Sequence, residues 1–577
     1  MRIFKGIAAS EGMVKGKALV FRRASMAAER RHIFADGIAS ELKALAKALG
    51  EARLTIEEHS HSQLNSESRQ ILEAHLLMLE DPEYRNQIET YIRTNLVSAQ
   101  WAIEEVSEQY ASMLAQSGDE LLAGRADDIR DVSLYLLDAA RGRRQEIELR
   151  LDEDVVLVAD SLMPSELFAL DKKRILALVL DGGGRASHVA ILVRAFNIPA
   201  VIATGRASHS INDGDEVIVD GNWGEVYVRA DFTAAQLLDE RYARWQEHEA
   251  ELQQMVNLET QMLDGARVDL YANIQGPVEV DGVLASGASG IGLFRSEFLF
   301  MESASLPTEE QQYQAYKAAL ERMAPKAVTI RTLDIGGDKI VEELGIDEKN
   351  PILGWRAVRF CLSRKDIFTT QLRALLRASM HGNLKIMFPM ISGLEELNAV
   401  LHLFEHVKEE CRLEGILFDE KIEVGTMIEV PSAALCADIL AKRVDFFSIG
   451  TNDLIQYTIA VDRGNEKIAY LYQPFHPGVL RSIKMIVDKA HAEGIVVSLC
   501  GEMASDPLCS VLLAGLGLDE LSMGVQSLLQ VRKILRSVSS EEARTLAEEV
   551  LSMDSYQTIH TYIREWMHDR FDHFTTI

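Results

Sequence analysis

The chain has 577 residues with 60 basic and 88 acidic side chains, which gives a formal net charge of −28. A surface this acidic repels phosphate backbones and anionic lipid, which argues against nucleic acid or a membrane surface as a partner. No uncharged apolar run approaches the ~18 residues that a membrane span needs, the start lacks a signal-peptide stretch, and the five scattered cysteines form no disulfide framework. We therefore expect a cytoplasmic protein without membrane insertion.

The N-terminal part alternates between two sequence patterns. Residues 21–145 repeat apolar positions at helical spacing, with a break at Asp81-Pro82 and almost no strand-like runs. Four strand-like runs follow, at 154–159, 174–180, 201–203 and 216–219, with one helical run at 189–196. We predict an α/β domain formed by residues 1–20 and 146–230, into which an acidic helical domain, residues 21–145, is inserted.

Residues 231–263 contain no glycine or proline and predict a long, stiff helical linker. From 264 to 577, eight short apolar runs separated by helical patterns predict strands. These runs are Val268–Ile274, Gly290–Phe294, Ala327–Thr332, Leu384–Pro389, Glu423–Glu429, Asp445–Ile449, Ile495–Leu499 and Glu520–Met523. Eight β–α units in about 310 residues favour a (β/α)8 barrel, and the alternative is a doubly wound sheet, which usually has fewer strands.

Chemically active side chains follow the predicted barrel strands, at the ends where such barrels hold their active sites. They are Arg295, Arg331, Glu429, Asn452, Asp453 and Cys500. Guanidinium groups match phosphate and carboxylate oxygens, two carboxylates suit Mg²⁺, and a thiol can transfer a proton. Each residue alone is more often structural, but their convergence predicts a site for a phosphorylated carboxylic acid and a divalent cation.

A second candidate centre is the glycine loop 182–184, which follows the run 174–180 and precedes the helical run. Free N–H groups at a helix start favour an anion, and Ser187 can cap the helix and place His188 in its first turn. Imidazole there can carry a phosphoryl group covalently. The string Gly-Arg-Ala-Ser-His recurs at 205–209, but it leads into a turn with no predicted helix, so we prefer His188 to His209.

The chain resembles enzyme I of the bacterial sugar phosphotransferase system, the phosphoenolpyruvate–protein phosphotransferase family. The resemblance runs from residue 1 to about 570. Its motifs are Gly183–His188, Asp334–Lys339, Gly354–Ala357, Asp445–Leu454, Ala460–Asn465 and Cys500–Glu502. It implies a helical domain for docking the phosphocarrier protein HPr, a swivelling phosphohistidine domain, a helical linker and a phosphoenolpyruvate-binding barrel.

The resemblance also implies the chemistry. His188 accepts the phosphoryl group of phosphoenolpyruvate and passes it to a histidine of HPr, with release of pyruvate after Cys500 protonates the enolate. The implied substrate-binding residues are Arg295, Arg331, Arg356, Asn452, Asp453 and Arg463, and the implied Mg²⁺ ligands are Glu429 and Asp453. The family tends to form homodimers through the barrel.

Docking of HPr is expected on the helical domain. Arg125 is implied to lie near the phosphohistidine during transfer, and the acidic face near Met78, Glu80, Asp81 and Glu83 suits a basic partner. The sequence departs from the family at Leu167, where a threonine is common, which puts partner choice or rate in doubt more than reaction class.

Two alternatives come from other functional classes. A dikinase that uses ATP or pyrophosphate would need a nucleotide domain, which the sequence lacks, and labelling of His188 by ATP would support it. A catalytically silent homologue would retain the fold without the chemistry, and pyruvate release from phosphoenolpyruvate would exclude it.

Overall fold

The computed structural model describes residues 2–21, 30–60, 66–115, 120–141, 153–184, 187–196, 198–228, 232–301, 306–336, 350–463, 465 and 467–571. The chain separates into two compact units, Met1–His248 and Glu249–Ile577. Among the described residues, no helix combines the length and the apolar character that crossing a lipid bilayer requires.

The first unit is built around an eight-stranded sheet with the strand order β1-β8-β7-β3-β4-β5-β6-β2. The strands are β1 Arg2–Lys5, β2 Ile7–Ser10, β3 Met13–Phe21, β4 Val155–Ala159, β5 Ile175–Leu180, β6 Ala200–Ile202, β7 Glu216–Asp220 and β8 Glu225–Val228. Strands β3 to β6 are parallel neighbours, and the flanking strands pair antiparallel. The four predicted strands are present to within one residue, whereas β1, β2 and β8, with four residues each, are too short to show a period.

Among the described residues between β3 and β4, five α-helices follow one another and pack as a bundle. They are α1 Ile38–Ser60, α2 Ser66–Glu80, α3 Pro82–Asn95, α4 Ala99–Ala115 and α5 Glu120–Ala140. The predicted break is present, because α2 ends at Glu80 and the Asp81 carboxylate accepts a hydrogen bond of 2.8 Å from the backbone N–H of Glu83 at the start of α3. The inserted helical region predicted from the sequence is confirmed.

Three short helices border the sheet: α6 Pro164–Ala169, α7 His188–Ala195 and α8 Ala207–Ser210. The hydroxyl of Ser187 accepts a hydrogen bond from the backbone N–H of Ala190 (3.3 Å), so the predicted cap of α7 is present. The second Gly-Arg-Ala-Ser-His string leads into a turn at 213–214, as expected, but the short helix α8, which includes His209, was not predicted. The carboxylate of Asp181 accepts hydrogen bonds from the backbone N–H groups that begin α8, a long-range contact that a local pattern does not reveal.

The predicted helical linker is shorter than expected. Helix α9 spans Phe232–Gln254 and not 232–263. Its end depends on Arg532, a buried residue distant in sequence, whose guanidinium donates to the carbonyl oxygens of Met255 and Val256 at 2.8 and 2.9 Å. These bonds satisfy carbonyl groups that a longer helix would have paired internally.

The second unit is a closed parallel barrel of eight strands in the order β9 to β16. The strands are β9 Asp269–Ile274, β10 Ile291–Arg295, β11 Ala327–Arg331, β12 Asn383–Phe388, β13 Glu423–Ile428, β14 Phe446–Gly450, β15 Val496–Cys500 and β16 Glu520–Met523. Every predicted barrel strand is present, with ends that differ by at most one residue. The closed barrel excludes the doubly wound sheet.

Helices surround the barrel and continue to the C-terminal end of the described chain. They are α10 Val280–Ala285, α11 Phe298–Met301, α12 Glu309–Met323, α13 Ala357–Ser363, α14 Lys365–Ala378, α15 Leu394–Glu414, α16 Pro431–Leu435, α17 Ala437–Leu440, α18 Thr451–Ile459, α19 Pro477–Ala492, α20 Glu502–Ser505, α21 Pro507–Leu516, α22 Val525–Leu535, α23 Ser540–Ser552 and α24 Tyr556–His568. Inside the barrel, Leu293, Met387, Met427, Phe446 and Cys500 form a small buried cluster. Leu293, Met427 and Cys500 also line a cavity at the carboxyl ends of the strands, so the cluster provides its apolar part.

Candidate functional site

A cavity of about 360 Å³ lies at the carboxyl ends of the barrel strands. All eight side chains that the sequence assigned to substrate, metal and proton transfer in the barrel line it: Arg295, Arg331, Arg356, Glu429, Asn452, Asp453, Arg463 and Cys500. Asp334 lines it too, although no individual role is predicted for it from the sequence. The structure therefore brings the predicted barrel residues together in one place.

Two of the arginines are fixed by one carboxylate. Arg331, the last residue of β11, and Arg356, which precedes α13, are 6% and 3% exposed, and Asp334 lies 3.2 Å from the first and 2.9 Å from the second. Burial alone disfavours their charge, but the carboxylates of Glu297 and Asp334 beside Arg331 outweigh it and raise the arginine pKa. Both guanidinium groups are thus charged and held in place before any ligand binds.

Glycine at 336 permits this arrangement. Gly336 has φ +110°, and a Cβ there would lie 2.6 Å from the Cβ of Arg356. A larger residue would push the arginine away from Asp334. Packing therefore requires a glycine at position 336 of the motif Asp334–Lys339. Residues 337–349 lie outside the described chain.

The two predicted metal ligands, Glu429 and Asp453, follow β13 and β14. Glu429 is fully buried and accepts a 2.6 Å hydrogen bond from the backbone N–H of Met390 through Oε1. Its other oxygen, Oε2, has no hydrogen-bond partner among the described residues. Burial, together with the charges of Asp453 and Asp334, raises the pKa of Glu429 to about 8.

This environment fits a bound divalent cation. A buried carboxylate oxygen without a donor, beside a second carboxylate, gains a partner when a cation binds. The space is also kept open, because a Cβ at Gly450 would come within 2.7 Å of Oε2 of Glu429. Oxygen donors of this kind suit Mg²⁺ or a similar hard cation.

Cys500 ends β15 and is 2% exposed. Ser448 donates a hydrogen bond to its sulfur at 3.4 Å, and the thiol points to the carbonyl oxygen of Ile449 at 3.7 Å. Burial raises the pKa of the thiol, so it keeps its proton at neutral pH. A protonated thiol in the cavity can act as an acid toward a carbanion.

Asn452 and Arg463 complete the rim. The side chain of Asn452 pairs with Glu502, donating to the carboxylate at 3.2 Å and accepting from its backbone N–H at 3.1 Å. Arg463 is exposed, and its backbone N–H donates to the side chain of Gln456 at 3.1 Å. Arg463 is thus the most exposed of the four arginines that line the cavity.

The other centre is His188, in the first turn of α7. Its Nδ1 lies 2.8 Å from Oδ1 of Asp128 on α5, and its side chain is 36% exposed, whereas that of Asp128 is 3% exposed. Two lone pairs at this distance would repel each other, so Nδ1 carries the hydrogen and a neutral ring presents a free electron pair at Nε2. His188 therefore has the geometry of a nucleophile with an orienting carboxylate, and residues 185–186 before it lie outside the described chain.

Asp128 is balanced by a second histidine. His75 on α2 is fully buried, with Nε2 3.5 Å from Asp128 and Nδ1 3.5 Å from Asp131. Burial by itself raises the pKa of Asp128, but the contacts with His188 and His75 outweigh it and lower the pKa to about 2. The carboxylate is therefore ionised throughout the neutral range.

Sequence reasoning missed Asp128, His75 and Asp334. Asp128 stands beside Arg125 in the sequence, and a search for carboxylates within a few residues of the predicted docking arginine would have found it. His75 stands among the apolar positions of the α2 repeat, with Leu72, Leu76 and Leu79, which indicates burial but no contact with Asp128. Leu167, where the family commonly has threonine, is fully buried in the core and offers no hydroxyl. The described contact of the His188 ring is with Asp128.

The predicted docking residues occupy the junction of α2 and α3. Glu80 and Glu83 are exposed, Met78 is half-buried, and Asp81 caps α3. Met78 and Asp81 line a small cavity of about 50 Å³. The side chain of Arg125 lies outside the described part of the structure.

The barrel, its cavity and the histidine at the start of α7 indicate an enzyme that acts on phosphoenolpyruvate. Comparison with known proteins supports this class. Three models of phosphoenolpyruvate-utilising enzymes match: the N-terminal domain over residues 5–125, the mobile domain over 151–224 and the phosphoenolpyruvate-binding domain over 249–540. The chain is 44% identical to the phosphoenolpyruvate-protein phosphotransferase of Geobacillus stearothermophilus, over 97% of both chains. It is 42% identical to that of Bacillus subtilis, over 98% of this chain and 100% of the relative, and 42% identical to that of Haemophilus influenzae, over 98% and 99%.

The chain belongs to the phosphoenolpyruvate-protein phosphotransferase family. It is an enzyme that moves a phosphoryl group from phosphoenolpyruvate to histidine, as the resemblance implied.

Replacing Asp128 by asparagine should remove an acid-sensitive part of the stability. Because the pKa of Asp128 is about 2 instead of 3.8, its ionised form stabilises the fold above about pH 4, and this contribution is lost as the pH falls toward 2. The difference in free energy of unfolding between wild type and Asp128→Asn should fall by about 1 kcal/mol from pH 5 to pH 3. Urea unfolding followed by circular dichroism measures it. Asp36→Asn, at an exposed position, serves as the control, and the same pH dependence in both variants would contradict the assignment.

Proposed function

We propose that the chain transfers the phosphoryl group of phosphoenolpyruvate to Nε2 of His188 and then to a histidine of an HPr-type phosphocarrier protein. The observation that carries the proposal is the cavity at the carboxyl ends of the barrel strands. It is lined by arginines held in place by carboxylates, by the unpartnered oxygen of Glu429 and by the protonated thiol of Cys500. His188, with Nδ1 against Asp128, supplies the nucleophile that this cavity lacks.

Phosphoenolpyruvate carries a phosphate and a carboxylate on three carbons, and the cavity offers a cation for each. Arg295 and Arg331 end neighbouring strands and would hold the phosphate, with Asn452 and Arg463 at the rim. Arg356 is a further anion contact. Since Asp334 fixes two of these arginines in advance, little reorganisation is needed when the substrate binds.

Glu429 and Asp453 would hold Mg²⁺, which supplies charge neutralisation at the substrate oxygens when bound. The unpartnered Oε2 of Glu429 and the raised pKa of that group both support a cation there. Asp453 contacts Arg356 at 3.3 Å, so metal ligand and anion contact are adjacent.

The group transfer needs one nucleophile and one acid. Nε2 of His188 attacks phosphorus, an N–P bond forms and the bond from phosphorus to the enol oxygen breaks. The enolate then takes the thiol proton of Cys500 at its methylene carbon, which gives pyruvate. Phosphohistidine keeps a high transfer potential, so a histidine of a second protein can receive the group.

The docking surface is proposed at the junction of α2 and α3, where Glu80 and Glu83 are exposed. Acidic side chains there would steer a basic carrier. A homodimer formed through the barrel is part of the same proposal, and exposed apolar side chains of the second unit, Leu353, Leu435 and Tyr470 among them, are compatible with it.

Labelled phosphoenolpyruvate should place an acid-labile phosphoryl group on His188. Mass-spectrometric mapping of the wild type, His188→Ala and His209→Ala tests this, because both histidines follow the same four residues in the sequence. We expect His188→Ala to lose the label and all transfer to the carrier, and His209→Ala to keep both. Label on His209 would overturn the choice of nucleophile.

Asp453→Ala should separate the two half-reactions. Transfer from phosphoenolpyruvate to His188 should fall by at least roughly 100-fold, because the variant loses a proposed metal ligand. Transfer back from the phosphorylated carrier to His188 should continue, since it does not use the barrel. Both rates are measured by quenched-flow labelling, with Asp488→Ala on α19 as the control. Loss of both half-reactions would count against the assignment.

Reversing the charge of Glu80 and Glu83 should weaken carrier docking only. In Glu80→Lys/Glu83→Lys, the KM for a basic carrier should rise roughly tenfold at low salt and less at high salt. Labelling of His188 by phosphoenolpyruvate should stay unchanged. The same change of charge in the barrel unit, Glu548→Lys/Glu565→Lys, is the control, and equal KM values in the two double variants would place docking elsewhere. Asp81 is left intact because it caps α3.

A further inference from the structure

The contacts around His75 are incomplete. Its side chain is fully buried, yet neither ring nitrogen has a hydrogen-bond partner among the described residues. Oδ1 of Asp128 faces both rings, at 3.5 Å from Nε2 of His75 and 2.8 Å from Nδ1 of His188. Buried polar atoms are rarely left unsatisfied, so the two ring nitrogens of His75 need an explanation.

The distances match those of a metal centre. One donor atom from each of His75, Asp128 and His188 lies within 4.8 Å of the other two. Tetrahedral Zn²⁺ with bonds near 2.0–2.1 Å separates its ligand atoms by about 3.3 Å. The separations here are 3.5 Å for His75 to Asp128 and 2.8 Å for His188 to Asp128, each within about 0.5 Å of that value, and the two imidazole nitrogens lie within 4.8 Å of each other.

Asp131 provides the support that such a centre needs. A metal-ligating histidine usually donates its other ring N–H to a carboxylate, which fixes the ring. His75 meets Asp128 through Nε2 and faces Asp131 at 3.5 Å through Nδ1. His188, at 36% exposure, leaves a path from solvent to the otherwise buried group.

We propose that His75, Asp128 and His188 form a binding site for Zn²⁺ or a similar transition-metal ion that removes His188 from phosphoryl transfer. Two imidazoles and one carboxylate suit Zn²⁺, Co²⁺ or Ni²⁺ and not Mg²⁺, which prefers oxygen. Coordination through Nδ1 uses the other neutral tautomer of His188, so the Nδ1 hydrogen moves through solvent to Nε2 and occupies the electron pair that would attack phosphorus. The ring is then fixed to α5 and α2, and coordination withdraws electron density from Nε2.

Cobalt(II) titration of the full chain tests the site directly, because four-coordinate Co²⁺ has strong visible absorption whereas the oxygen-rich barrel site gives a weak spectrum. We expect one such ion per chain in the wild type. His75→Gln should weaken its binding by roughly 100-fold and Asp131→Asn by roughly tenfold. His209→Ala and Glu429→Gln should keep the spectrum.

Thermal unfolding of each variant checks that it is folded. If His75→Gln is unstable, Asp131→Asn still tests the site, because it leaves all three ligands present. Absence of the spectrum in the wild type, or equal affinity in the wild type and Asp131→Asn, would overturn the proposal.

The inhibitory part rests on the proposed role of His188 and has its own readout. With excess Mg²⁺, a stoichiometric amount of Zn²⁺ should slow labelling of wild-type His188 by phosphoenolpyruvate at least tenfold relative to the zinc-free rate. The ratio should be near one in His75→Gln, with each variant compared with itself. Equal inhibition of both would mean that Zn²⁺ acts at the barrel, which overturns the inhibitory role. If His188 takes no label without zinc, the proposed function fails while the cobalt spectrum still decides the metal site.

Discussion

The buried charge of Asp128 is the constraint on which the first unit depends. Asp128 belongs to the bundle and His188 to the helix after the glycine loop, so their 2.8 Å contact joins the inserted helices to the α/β region at the proposed phosphoryl acceptor. A carboxylate with 3% exposure needs an opposite charge or a donor beside it. A phosphoryl group on the same imidazole brings negative charge close to that carboxylate. Phosphorylation therefore weakens the contact that holds the unmodified ring.

In the barrel, a buried carboxylate holds two arginines instead of a histidine. Asp334 fixes Arg331 and Arg356 while both guanidinium groups still face the cavity. Positive charge is thus concentrated where an anion binds, and the same carboxylate helps to raise the pKa of Glu429. The cavity offers guanidinium groups to an anionic substrate and, at Glu429, a carboxylate oxygen without a donor among the described residues to a cation. The folded protein thus already positions the charged groups that would bind the anionic substrate and the cation.

The sequence predicted what local patterns encode. Eight barrel strands were recognisable because each is a short apolar run between helical segments, and residues at strand ends meet by topology, so Arg295 and Cys500 could be placed together. The sequence failed where distant residues decide. Helix α9 ends at Gln254 because Arg532 binds the next carbonyl groups, and α8 forms because Asp181 accepts from its first N–H groups.

Donor chemistry separates the two cation sites proposed for this chain. The barrel offers carboxylate oxygens from Glu429 and Asp453, which suit a hard ion that must also accept substrate oxygens. Around His188 two imidazoles surround one carboxylate, a set that a hard ion binds poorly and a borderline ion binds well. A cell rich in Mg²⁺ and poor in free Zn²⁺ can therefore fill the first site without filling the second. On these proposals, ligand preference keeps the imidazole of His188 available for phosphorus, and a rise in free zinc would block it.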